Sequence, residues 1–114
     1  MSESSIVFNV AKDNLDVETV TNKLISIIDG WLKTEGAHTT DVQQQMLRSH
    51  VKAMVERAKT GESLPEVDVS LFEEISAESI ALAEKVVHTL PGLAQEEAYL
   101  LSVHFEVARS NSKR

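Results

Sequence analysis

The sequence has 114 residues, 42% hydrophobic and 25% charged, which is the size and balance of one globular domain with a single core. Its 18 acidic against 11 basic residues give a formal net charge of −7, which opposes direct contact with a nucleic-acid backbone. The lack of cysteine excludes disulfides, thiolate metal sites and cysteine nucleophiles; the apolar runs are too short for a bilayer and the start Met-Ser-Glu-Ser-Ser is not basic, so a cytoplasmic protein is expected.

Residues 1–13 form an N-terminal arm in which Ile6-Val-Phe8-Asn-Val10 is the only apolar cluster. It fits an extended segment packed on the body or on a second subunit, and equally a frayed helical turn. The helical domain is expected over 14–109. Asp16 is the N-cap of a first helix running to about Glu35, with Val17, Val20, Leu24, Ile27, Ile28, Trp31 and Leu32 at helical spacing and Gly36 as the stop. Thr40 with Gln43 makes a capping box for a second helix, whose inner side is traced by Val42, Met46, Val51 or His50, Met54 and Ala58, and which Gly61 closes.

Pro65 places a connector over 62–69. Ser70 with Glu73 reads as another capping box, opening a short helix through Leu71, Phe72 and Ile75. Ser76 caps the next helix, whose inner face is Ile80, Ala83, Val86, Val87 and Leu90 and which ends near His88 before Leu90-Pro91-Gly92. A last helix follows from Leu93, with Ala94, Ala98, Leu101, Phe105 and Ala108 on one face, and 110–114 is a polar tail. The fold class is all-α: a compact five-helix bundle of four longer helices and one short.

Of the four histidines, His38 lies in a loop and His88 at a helix end, and both read as surface residues. His50 and His104 differ. Each sits at the edge of an apolar helix face: Met46, Leu47, Ala53 and Met54 surround the first, and Leu100, Leu101, Val107 and Ala108 the second. The plain reading is a core-edge ring hydrogen-bonded to a neighbour. Placing an ionisable ring in an apolar collar twice carries a repeated desolvation cost, which makes a functional pair competitive with that reading. Neither ring has a second ligand at i+3 or i+4, so no metal is expected, and no nucleophile elbow, phosphate-binding Gly-rich loop or close carboxylate pair supports catalysis or a cofactor.

Two motifs resemble a known family. Leu47-x-x-His50-x-x-x-Met54-x-x-Arg57 followed by Gly61-Glu is similar to the first-histidine helix of the phosphotransferase-system regulation domain, the PRD of BglG- and LicT-type antiterminators and related sugar-operon activators. Leu93-x-x-x-Glu97-Ala-x-Leu100-x-x-x-His104 is similar to its C-terminal helix, and the likeness spans roughly residues 17–109. Ser49 stands where the family often has an aspartate, and Ala94 where a proline is usual.

The resemblance implies a dimeric PRD-like bundle acting in transcription regulation; in departure from those relatives, a PRD standing alone, without a preceding RNA- or DNA-binding module, is expected. It would be phosphorylated on His50, His104 or both by the phosphocarrier HPr or a sugar-specific phosphotransferase subunit, would signal through its homodimer or a partner regulator, and would have no catalytic activity of its own. Arg57 and Lys52 are the cations expected to meet the phosphoryl charge. Because Arg57 follows His50 by seven residues whereas Glu97 precedes His104 by seven, His50 is expected to be the readier acceptor. Ser49 favours an alternative, an adaptor that keeps the fold and is no longer phosphorylated. A small enzyme using the two histidines as acid and base is the third reading, opposed by the lack of inward carboxylates.

Overall fold

The computed structural model describes residues 6–62, 64 and 68–111. Pro65 and the ends of the arm and tail, 1–5 and 112–114, lie outside them. Four α-helices run in the order α1 Val17–Thr34, α2 Asp41–Thr60, α3 Ala77–Val87 and α4 Glu96–Asn111, with a 3₁₀ helix at Val69–Phe72 between α2 and α3. The described residues contain four α-helices rather than five, the expected short one being a single 3₁₀ turn. The reason is local. Asp68 accepts from both the backbone N–H and the hydroxyl of Ser70, so the N-cap lies two residues earlier than Ser70 and Ser70 is spent inside the turn.

The remaining caps match their sequence signals. Asp16 accepts from the Thr19 N–H at 2.9 Å, the Thr40–Gln43 box is closed in both directions, and Ser76 accepts from the Ser79 N–H. At the end of α1, Ala37 N–H bonds Leu32 O at 2.8 Å and Gly36 N–H bonds Lys33 O at 3.0 Å, a Schellman ending that requires the φ of +76° at Gly36. Ala37 is thereby turned into the core.

The helices pair as two hairpins, α1 with α2 and α3 with α4, and α2 packed on α4 joins them. Leu24, Ile28, Leu32, Leu47, Met54, Leu101 and Phe105 fill the shared core. On α2 the inner row is Leu47, Val51, Met54, Val55 and Ala58. Val42 and Met46, expected inward, lie outside this arc and are 66% and 57% exposed.

The arm packs on the body as an irregular segment. Phe8 N–H donates to Thr89 O at 2.6 Å, Val10 is only 2% exposed, and the Lys59 ammonium reaches Leu15 O at 2.9 Å. Two polar ties fix the far end of the bundle. Glu106 accepts from the Ser76 and Ser79 hydroxyls, each at 2.8 Å, and Arg109 on α4 pairs with Glu35 after α1. None of the helices among the described residues is long and apolar enough to cross a membrane.

Candidate functional site at the α2–α4 seam

His50 stands in the middle of α2 and His104 in the second half of α4, each at the border of its buried row. The seam brings them together. Their rings lie edge to face, with centroids 5.2 Å apart and planes 66° to one another. Burial, then His104, then Arg57 hold the His50 imidazole down to a pKa of about 4, and burial pushes His104 below the usual histidine value as well. At neutral pH both rings are therefore neutral, the form in which a ring nitrogen keeps a lone pair for an electrophile. The buried Nε2 of His50 has no hydrogen-bond partner among the described residues.

One step along the same seam, Arg57 of α2 meets Glu97 of α4. The guanidinium donates Nε–H to Oε2 at 2.6 Å and Nη2–H to Oε1 at 2.7 Å, a parallel two-point contact. Glu97 is 1% exposed, so this carboxylate is a buried inward charge, which the sequence reading held to be missing. Burial is tolerable only because the pairing is bidentate. The pairing weakens the contrast expected between a cationic His50 site and an anionic His104 site, although Arg57 still bears on His50 while burial alone shifts His104.

The geometry follows from one register. Arg57 lies seven residues after His50 and Glu97 seven before His104, so the contacts His50–His104 and Arg57–Glu97 require α2 and α4 to run antiparallel. Seven residues of helix advance about 10 Å, and the arginine side chain leans toward its helix N-terminus, back toward His50. His50, His104, Arg57 and Glu97 form one constellation.

Lys52 does not join it. Its ammonium pairs with Glu18 of α1 at 3.0 Å, alongside Arg48, on the other side of α2. His38 and His88 are exposed; the first lies in the α1–α2 loop, where Asn111 bonds its carbonyl, and the second caps α3. Among the described residues no three metal-ligating side chains gather. Besides Val42 and Met46 on α2, Val103 and Val107 on α4 are exposed, so both histidine-bearing helices carry apolar side chains at the surface. The signal was present, since Val103 and Val107 neighbour His104 on the side away from Leu101 and Phe105.

Fold and site together define a small all-helical domain built around two neutral histidines at a helix–helix seam. No protein-family model matches the chain, and no curated protein does. Among solved structures, a PRD-containing transcription regulator from Lactobacillus casei ATCC 334 is similar to it with a TM-score of 0.78 and 37% sequence identity, over 81% of this chain and 82% of that one. The chain belongs to the PRD family.

Proposed function

We propose that this PRD is a regulatory domain of a sugar phosphotransferase system that is phosphorylated on His50, His104 or both. The donor is HPr or a sugar-specific phosphotransferase subunit, and the signal passes through a homodimer or a partner protein to transcription. The observation that carries this reading is the pair of neutral imidazoles 5.2 Å apart beside an arginine. Transfer from one phosphoimidazole to another asks little covalent help of the acceptor; it needs a ring with a free lone pair and a cation within reach of the incoming charge. A gain of about 1.5–2 negative charges at a half-buried seam is a large electrostatic change for so small a domain. The exposed Val42, Met46, Val103 and Val107 on the two histidine-bearing helices supply an apolar surface for a second copy, through which that change would be felt.

The experiment is incubation with phosphoenolpyruvate, enzyme I and HPr, with the sugar-specific subunit added, followed by detection of acid-labile phosphate. Label that disappears in the double variant His50→Ala/His104→Ala supports the reading. A second reading, an adaptor of the same fold that is no longer phosphorylated, is favoured by the burial of His50 Nε2 and by Ser49. It is the outcome if no histidine is labelled.

A further inference from the structure

The Arg57–Glu97 contact lies on the same two helices as the ring pair, about 10 Å along the seam. Among the described residues Arg57 bonds Glu97, through Nε and Nη2, and Nη1 lies outside that pair. The arginine that His50 feels is therefore already engaged by a buried carboxylate. We infer that Arg57–Glu97 is a latch: phosphorylation of His50 draws the guanidinium off Glu97 and onto the phosphoryl oxygens, and the stranded carboxylate loosens the α2–α4 seam. This rests on the phosphorylation reading above and names how the modified ring is communicated.

The physical argument is a competition for one cation. Glu97 offers a single negative charge, whereas a phosphorylated ring offers nearly two and three acceptor oxygens. In a helix the Cα–Cβ bond tilts toward the N-terminus, which for Arg57 is the His50 end of α2, so the exchange is one of side-chain rotation rather than movement of α2. Glu97 has no such freedom. Its side chain is 2% exposed, and without its two donors it has to gain water or a proton, either of which opens the packing of α4 at Ala98 and Leu101. A change at the rings thus becomes a change in helix packing two turns away.

The test uses phosphoramidate on the full chain, which removes any dependence on a protein donor. A neutral ring nitrogen of His50 bonds to phosphorus as the P–N bond of the reagent breaks, and the departing ammonia carries away the ring proton as ammonium. In ¹⁵N-labelled wild type, phosphorylation of His50 is expected to shift the Arg57 Nε–H resonance away from its carboxylate-bonded position and to lower amide protection around Ala98 and Leu101 several-fold. In Glu97→Gln, with Arg57 released beforehand, His50 is expected to be modified several-fold faster, and the further loss of protection is absent.

An Arg57 resonance that stays in place when His50 is phosphorylated overturns the latch, even if Glu97→Gln fails to fold. Equal rates in the two proteins overturn it, and so does absence of label on His50 in both. Transfer from HPr with no change at Arg57 would remove the latch and leave the proposed function standing. The latch signature with phosphoramidate, but no transfer from any protein donor, would do the reverse.

Discussion

Arg57 and Glu97 close the α2–α4 seam through two parallel hydrogen bonds of 2.6 and 2.7 Å, in a place where the carboxylate has almost no contact with water. Removing either partner strands a charge. Glu97→Ala and Arg57→Ala are each expected to cost about 3 kcal/mol in urea denaturation, whereas the double variant Arg57→Ala/Glu97→Ala costs clearly less than the sum of the two. Additive losses would show that the two side chains do not act on each other.

The core of α4 makes a stronger demand. Leu101 and Phe105 are fully buried between the two hairpins. Truncating either to alanine is expected to cost about 2–5 kcal/mol, because the surrounding helices cannot collapse fully into the void. Circular dichroism of the unaltered chain should report a predominantly helical protein, and near-neutral effects at both positions would place this helix face at the surface.

Acid should destabilise the fold through His50. Its folded pKa of about 4 lies below an unfolded value of 6.5, so the unfolded chain takes up the proton first as pH falls. Stability attached to this ring is intact above pH 6.5, declines between 6.5 and 4, and levels off below, the total being on the order of 3 kcal/mol. His104, shifted the same way by burial, adds to the decline. Denaturation midpoints measured across this window should fall more steeply for the wild type than for His50→Gln. Parallel slopes would mean that the ring titrates as it does in water.

Helix ends and the histidine pair were legible in the sequence because their causes are short-range or periodic. Asp16, Thr40 and Ser76 cap through bonds three residues long, Gly36 and Gly61 end helices by taking positive φ, and His50 and His104 each border an apolar row. What escaped depends on partners far away in the chain. Which of Met46 and Leu47 faces inward is decided by where the neighbouring helices land on α2. Lys52 was a reasonable cation for the rings until Glu18 of α1 claimed it. Burial of Glu97 has no local signature, although the matching offsets of seven residues in opposite directions hold the antiparallel register that joins it to Arg57. The short helix expected from Ser70 is a 3₁₀ turn instead because Asp68, two residues earlier, takes the cap and Ser70 donates to it.

The exposed apolar groups on the two histidine-bearing helices lead to a solution-state prediction. Val42 and Met46 on α2, with Val103 and Val107 on α4, are expected to be covered in a homodimer. Sedimentation at micromolar concentration should give a dimer, and Met46→Glu should shift it toward monomer with little loss of helicity or melting temperature, since Met46 lies outside the core. A wild-type monomer that does not change on concentration would leave the dimer switch without a basis.

Site-resolved phosphate mapping tests the central claim most directly. Wild type, His50→Ala and His104→Ala are incubated with phosphoenolpyruvate, enzyme I, HPr and the sugar-specific subunit, and phosphopeptides are identified by mass spectrometry at mildly alkaline pH. The account predicts acid-labile phosphate on His50, His104 or both, with altered occupancy of each when the other is removed, as expected of rings in contact. Phosphate on His38 or His88 alone, or on no histidine with cognate donors present, would contradict it.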